Sequence, residues 1–558
     1  MPVLILSTRA DERRRARLQA IVRAVGEPVV FGPDSTLPDL WRFGAIVLDG
    51  DPSAWGSRLG RELTRVVEAG ASLLTLGWAP GPTEREWVPI LATTAGAVTQ
   101  AGEVFARVTG AGSPLTVRLP AEFPIVDRFT PLAPADDATV AIAVRIGLRD
   151  LPAVVEAVRG RGRVVTCSLG ASEEALEVGA LARLIRRALR SREAGERPGR
   201  NIGVGIVGYG PLGGMGYHHG LATGATAGLE LVAVAEPDVD RRKTAEGDFP
   251  GIRAFASVED LCEDDAVELV FVATPPVHHA SISAKLLTAG KHVACEKPLC
   301  FAEAEVDRLI ALAGRNRLVL TVHQNRRWDP DFVAIMRAVD GGLLGQVFNV
   351  ETFVGSFEHP CRTWHSDASV SGGAVYDWGA HHLDWILRIC GGPPLAVRAH
   401  GHKRVWHDVT NLDQIRVRLT WPDGREGEFV HSDVAAVRRP KFYLQGTAGT
   451  LVGHYRPVVF ERILPGRGYV AEPAHHAEAP AELVLARYES GYGVSETRLP
   501  PAPVEPFAFH RNLADHLHLG EPLAVTPESV RDVVAVLAAA ERSSREGGAS
   551  VTLASASG

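Results

Sequence analysis

The stretch GIVGYGPLGGMG (205–216) constrains this chain more than any other. It overlaps the β-branched run GVGIVG (203–208), precedes a potential helix, and is followed by a second apolar run, LELVAVAE (229–236). A glycine turn between strand and helix opens a βαβ unit, and the helix N-terminus there faces the phosphates of a dinucleotide. Gly208 allows the tight turn and Gly210 lets the backbone approach a pyrophosphate. Gly213 and Gly216 both qualify as the third glycine. Gly220 and Gly224 weaken the next helix by about 1 kcal/mol each. Glu236 closes the second strand, where a carboxylate accepts from a ribose diol and repels a 2′-phosphate. That favours NAD, while Arg241 and Arg242 leave NADP possible.

The same alternation of short apolar strands and helices continues through ELVFVATP (268–275), KHVACE (291–296) and LVLTVHQN (318–325). It predicts a Rossmann α/β domain over 202–325. Beyond about 340 the pattern changes to QVFNVETFVG (346–355), LAVRAHGHKRV (395–405), QIRVRLTW (414–421), GEFVHSDV (427–434) and TLVGHY (450–455). These alternate apolar with polar residues and predict an α+β domain over 326–558, built on a large, open, mostly antiparallel sheet. TPESVRDVVAVLAAAERSSREG (526–547) reads as its C-terminal helix, with Thr526 as N-cap and Pro527 at the first helical position. Ahead of all this, VLILS (3–7), PVVF (28–31), AIVLDG (45–50), SLLTLG (72–77) and RVVTCSLG (163–170) alternate with helical stretches. They predict a parallel sheet covered on both faces, an α/β flavodoxin-like domain over 1–190. The charged stretch LRSREAGERPGRN (189–201) carries Gly and Pro and no apolar face, so 191–201 reads as a linker. The terminal ASASG reads as frayed.

A net charge of −7 gives the chain no electrostatic match to nucleic acid or anionic lipid. No apolar run approaches the roughly 20 residues of a membrane span. The opening MPVLILSTRADERRR has its basic residues after a short apolar run, the reverse of a secretory signal, so a cytoplasmic protein is expected. The six cysteines form no C-x-x-C pair and read as reduced, buried thiols; no metal ligands are expected.

Chemistry concentrates at two further places. In CEKPL (295–299) Glu296 and Lys297 end a strand, where ligands sit in an open α/β sheet. A lysine there can donate to a substrate hydroxyl and stabilise developing alkoxide charge. In SGGAVYDWGAHHLDWIL (371–387) Asp377 and His381 stand four apart, which places them on one face of a helix. Oxidising a secondary alcohol needs a base for the hydroxyl proton, and histidine fits near neutral pH with a carboxylate to fix its tautomer. Gly372 and Gly373 are expected to let that helix start pack close to the cofactor, and His382 to point elsewhere.

Together GYGPLGGMG, VAVAE, VATPPVHH (272–279), CEKPL, VHQNRRWDPDF (322–332), SGGAVYDWGAHHLD and the C-terminal helix resemble the Gfo/Idh/MocA oxidoreductase family over about 202–555. The resemblance implies catalytic roles for Lys297, Asp377 and His381, with His381 the base and Asp377 orienting it. It implies a cofactor pocket with Thr274, Pro275 and His278 beside Glu296 and Lys297, and substrate contacts from Asn325, Arg326, Trp364 and His365. It further implies a homodimer or homotetramer and a sugar, cyclitol or related polyol as substrate. The reaction would be hydride transfer between nicotinamide and a secondary hydroxyl. Glycoside cleavage through a keto-sugar and a non-catalytic sugar or cofactor sensor are the alternative readings.

The first unit resembles the ThuA-like, glutamine-amidotransferase-like domains in VVEAGASLLTLGW (66–78), SPLTVRLPAEF (113–123) and RGRVVTCSLGAS (161–172). The first histidine of the whole chain is His218, so Cys167 has no imidazole partner within that unit. A degenerate module is expected there.

Overall fold

Every side chain of Val3–Ser7, Ala45–Asp49 and Ser72–Leu76 is buried, as strands covered on both faces require. The computed structural model describes residues 2–81, 90–91, 93–96, 100–110, 113, 115–116, 119–146, 149–190, 201–210, 214–464, 468–473, 477–502 and 506–553. The expected linker at 191–201, all but its last residue, lies outside these residues, as do Gly213 and the terminal ASASG. The chain forms two compact units, Met1–Gly199 with Leu517–Pro522, and Arg200–His516 with Leu523–Gly558.

In the first unit β1 (Val3–Ser7), β2 (Pro28–Phe31), β3 (Ala45–Asp49) and β4 (Ser72–Leu76) pair in parallel in the order β2-β1-β3-β4. The remaining described strands are β5 (Thr93–Ala95), β6 (Gln100–Val108), β7 (Glu122–Phe129), β8 (Leu132–Pro134), β9 (Thr139–Ile146), β10 (Arg149–Arg159) and β11 (Gly162–Cys167). β11 continues the parallel set beside β4, and β10, β9, β6 and β7 extend the sheet antiparallel. The parallel strands are those with uninterrupted apolar runs. The antiparallel extension was not anticipated from sequence. Its β7 alternates exposed and buried positions, with charged residues between apolar ones, a weaker signal than a doubly buried strand.

The second unit begins with a parallel sheet ordered β14-β13-β12-β15-β16-β17: β12 (Ile202–Val207), β13 (Leu229–Ala235), β14 (Arg253–Phe255), β15 (Leu269–Val272), β16 (His292–Cys295) and β17 (Leu320–Val322). Its order reverses at β12, between β13 and β15, which is the switch point where an α/β sheet opens a crevice. A second sheet follows, with β18 (Val347–Gly355), β19 (Ala396–His402), β20 (Gln414–Thr420), β21 (Glu426–Ser432), β22 (Phe442–Gly446) and β23 (Thr450–His454) at its centre. Among the described residues every pairing in it is antiparallel except β18 with β21. The helices Gly379–Cys390 and Pro527–Arg545 cover one face. Leu383, Ile386, Val533 and Leu537 pack there with Val417, Phe429 and Phe442. Thr526 caps the second helix as expected, its side chain accepting from Ser529 N, with Pro527 in the first turn.

Cys167, Cys295, Cys300 and Cys390 are buried, but Cys361 is exposed and Cys262 half-buried, which corrects the expectation of uniformly buried thiols. Cys361 sits in an irregular polar loop ahead of Trp364, outside any apolar face. No helix among the described residues is long and apolar enough to cross a membrane.

Candidate active site

A cavity of 510 Å³ opens at the switch point of the parallel sheet, lined from Gly208 and Glu236 at one end to Lys297, His365 and Asp377 at the other. Its floor is the glycine turn after β12. Gly208 has φ +97°, and a Cβ there would stand 2.8 Å from Ala273 O. Gly216 lies in the first turn of the helix Met215–Ala225, where a Cβ would meet Gly208 O at 2.5 Å. Both positions therefore need glycine to keep strand, turn and helix in contact. Gly210 also lines the cavity.

Glu236 is buried at the end of β13. It accepts from Tyr209 N at 2.8 Å and Asp238 N at 3.1 Å, and its Oε1 lies 3.7 Å from the Arg241 guanidinium. Thr274, Pro275 and His278 all line the cavity, together with His279, which sequence reading passed over. His279 is buried, with its ring nitrogens 2.7 Å from Pro298 O and 2.7 Å from Thr274 O. It ties the turn after β15 to the turn after β16. Thr274 Oγ1 is buried without a protein partner. An orphaned hydroxyl in the wall and a floor that a Cβ would fill both fit an elongated polar cofactor threading this cleft.

At the far end Lys297 Nζ donates to Asp377 Oδ1 at 2.7 Å and to Asp377 O at 3.0 Å. Burial opposes ionisation of Asp377, but the Lys297 ammonium, helped by His365 and His431, holds its carboxyl below the usual range. Trp364 stacks on His365 with ring centroids 3.6 Å apart, and both line the cavity. Burial lowers the His365 pKa, against the pull of Asp377.

One expectation needs correction. Asp377 does not orient His381. The helix breaks at Trp378, between Ala374–Asp377 and Gly379–Cys390. The Asp377 carbonyl that would accept from His381 N takes Lys297 Nζ instead, and His381 N donates to Trp378 O at 3.1 Å. His381 Nδ1 is buried without a partner. Burial pushes its pKa well down, and the nearby charges of Lys297 and Arg326 add to this, so the ring is neutral. Gly372 and Gly373 do not themselves line the cavity, but Ser371 and Asp377 on either side of them do. A Cβ on Gly372 would strike Phe301 at 2.5 Å, so the close approach there is to an aromatic ring.

His381, Asn325 and Arg326 do not line this cavity. Asn325 is exposed. Arg326 is buried, pairs with Asp329 and Glu478, and stands over Trp378 at 5.2 Å. His382 points away as expected, its ring 4.8 Å from Trp385 and 5.1 Å from Phe429. Glu296 lines the cavity, with an anchorage the sequence did not reveal. Its Oε1 accepts from His219 Nε2 at 3.0 Å and His323 Nδ1 at 2.7 Å, and its Oε2 from Lys297 N at 3.2 Å. Burial opposes its ionisation, but His323 and His219 hold its carboxyl well below the usual range.

The sequence model described as the oxidoreductase family's NAD-binding Rossmann fold matches residues 202–324, and that of the GFO/IDH/MocA C-terminal domain matches 332–452. Residues 202–324 and 332–452 thus match the NAD-binding and C-terminal domain models of the Gfo/Idh/MocA oxidoreductases. The scyllo-inositol 2-dehydrogenase (NADP(+)) of Bacillus subtilis (strain 168) is 25% identical over 355 residues, 63% of this chain and 96% of that protein. The inositol 2-dehydrogenase of Rhizobium meliloti (strain 1021) is 26% identical over 297 residues, 52% of this chain and 85% of that one. A crystal structure of an NAD-binding protein from Listeria innocua superposes with a TM-score of 0.54 at 26% identity, covering 63% of this chain and 97% of that one. The second unit is thus similar in sequence and fold to Gfo/Idh/MocA proteins, and the chain is an oxidoreductase whose cofactor is NAD(P). Both family models lie beyond residue 201, outside the first unit.

Proposed function

We propose that the chain transfers a hydride between NAD(P) and a secondary hydroxyl of a sugar, cyclitol or related polyol. The observation that carries this reading is the Lys297–Asp377 pair at 2.7 Å, at the end of a cleft whose other end is the glycine turn and Glu236. Bound nicotinamide supplies the hydride acceptor. Lys297 Nζ donates to the substrate oxygen and stabilises its charge as the C–H bond breaks. Asp377 keeps the ammonium aimed by holding it through both a carboxylate and a carbonyl oxygen. His381, kept neutral by burial and by the adjacent cations and set behind the cavity's lining, would accept the hydroxyl proton by way of Lys297 rather than by touching the substrate. Trp364 and His365 present a stacked face for the substrate ring. The Bacillus and Rhizobium relatives, both named for inositols, support a polyol substrate.

Glu236 supports NAD as the preferred dinucleotide. Its carboxylate, fixed by two backbone N–H groups, faces the place where a 2′-phosphate would sit and disfavours it. Arg241 beside it is the feature that would admit NADP, the cofactor named for the Bacillus relative. Polyols assayed with NAD and NADP in parallel test the reading. Reduced nicotinamide should form with at least one cyclitol or sugar, faster with NAD, and Lys297→Ala should abolish it. Full turnover in Lys297→Ala would sink the assignment.

For the first unit we propose a degenerate ThuA-like module without chemistry of its own. Supporting this, Cys167 is fully buried, and burial pushes its thiol up to about 12. The carboxyl ends of its parallel strands are also occupied by protein. Arg14 pairs with Asp49 at 2.6 Å, and Asp127 accepts from Gly170 N at 2.6 Å and Ser172 N at 3.0 Å.

A further inference from the structure

Behind Glu296, on the side away from the cleft, three histidines from distant parts of the second unit meet. His219 belongs to the helix Met215–Ala225 after the glycine turn, His323 follows β17, and His510 sits on the helix Ala508–Leu519. All three are buried, at 0%, 2% and 1% exposure. One ligating nitrogen from each lies within 4.8 Å of the others.

The hydrogen bonds fix which nitrogens are available. The ionised Glu296 carboxylate can only accept, so His219 Nε2 and His323 Nδ1, at 3.0 and 2.7 Å from its Oε1, carry the protons. The nitrogens left to face a cation are therefore the opposite ones, His219 Nδ1 and His323 Nε2. His510 Nε2 stands 3.0 Å from His219 Nδ1, and His510 Nδ1 is buried with no partner. The third ring is thus committed to the protein only through the other imidazole.

Imidazoles whose far N–H groups rest on a carboxylate are the arrangement that orients histidine ligands toward a metal ion. Phe271 stacks on His219 at 4.5 Å and Phe509 meets His323 edge-on at 4.8 Å, which walls the cluster with apolar rings. Three imidazoles without a thiolate suit a borderline cation rather than Ca²⁺ or Mg²⁺. A tetrahedral Zn²⁺ with bonds of about 2.0–2.1 Å spaces its ligand atoms about 3.3 Å apart, within reach of side-chain adjustments of about an ångström. His218, half-buried with its ring 5.9 Å from His323, stands where a fourth ligand or an access path is needed.

We propose that His219, His323 and His510 bind one Zn²⁺-class ion behind Glu296. The ion would tie the glycine-turn helix, the end of β17 and the helix Ala508–Leu519 to the residue that precedes Lys297. It takes no part in hydride transfer, and the proposal stands or falls independently of the polyol reading.

The test uses the full chain, stripped with a chelator, desalted, and given Zn²⁺ alone. One zinc per chain should survive desalting, the melting temperature should rise, and Co²⁺ in its place should show the intense visible absorption of a tetrahedral centre. The variants His510→Gln and His219→Gln/His510→Gln should each weaken zinc binding about tenfold or more. Wild-type chain that retains no stoichiometric zinc overturns the proposal, whatever the variants' folding. So does a double variant that keeps as much zinc as the wild type.

Discussion

Lys297 is the residue on which the chemistry turns, and Asp377 is its neighbour by geometry. Lys297→Ala should lower kcat about 10²-fold or more, the usual scale for losing a positioned donor or proton-transfer group. Its dissociation constant for NAD(P), read by fluorescence of the reduced cofactor, should change little, because the glycine turn and Glu236 are untouched. Asp377→Asn keeps the size of the side chain and removes the charge that holds Lys297; kcat should fall while KM moves less. The sequence showed both residues through their motifs and still mispaired them. A spacing of four residues can share a helical face without making the two side chains partners; here the helical segments are interrupted at Trp378, and Lys297 holds both the Asp377 carbonyl and its carboxylate. A side chain from 80 residues away is invisible to a local pattern. A second residue-scale prediction concerns Asp413, which is fully buried. Burial opposes its ionisation, yet the Arg404 and Val405 N–H groups and Lys403 bring its pKa down to about 2. A depressed carboxyl stabilises the fold above its unfolded pKa of about 4 and loses that contribution as pH falls through about 2. Asp413→Asn should therefore cost about 2 kcal/mol in denaturant unfolding near neutral pH, with the gap closing between pH of about 4 and about 2. A gap independent of pH would contradict it.

At the scale of elements, the glycine turn and the C-terminal helix carry the clearest expectations. Gly216→Ala places a Cβ 2.5 Å from Gly208 O, a backbone atom that cannot step aside without moving the turn. NAD(P) affinity should drop about tenfold, equivalent to about 1.4 kcal/mol. Unchanged affinity would show that the turn has slack. Thr526→Ala removes the side-chain acceptor for Ser529 N and should cost about 1 kcal/mol in denaturant unfolding. Here the sequence was most legible, since cap, proline and apolar face all lie within one turn of each other. The parallel strands were equally plain, because burial on both faces leaves uninterrupted apolar runs. The antiparallel extension was not: β7 alternates exposed and buried positions and resembles polar loop, while β9 and β10 carry apolar runs, VAIAV and AVV, that were passed over. The imidazole cluster was hidden for a different reason. His219, His323 and His510 come from three elements spread over some 290 residues, and none has a motif of its own.

For the whole molecule, cofactor binding belongs to the second unit. NAD(P) should protect amide hydrogens around the glycine turn, the segments after β13, β15 and β16, and Trp364–Asp377, and should leave residues 2–190 unchanged in hydrogen exchange. Protection within the first unit would mean that it contributes to cofactor binding and is more than a degenerate module. The order of strands around β12 places the crevice, the crevice places the cofactor, and the turn after β16 brings Lys297 to its end. The most direct test of that chain of causes is reduced-nicotinamide formation, followed by absorbance, on a panel of cyclitols and sugars with wild type and Lys297→Ala side by side. The account predicts turnover of at least one polyol by the wild type and its loss in Lys297→Ala, with cofactor still bound. Bound cofactor with no turnover of any polyol by the wild type, or equal turnover by the two proteins, would contradict it.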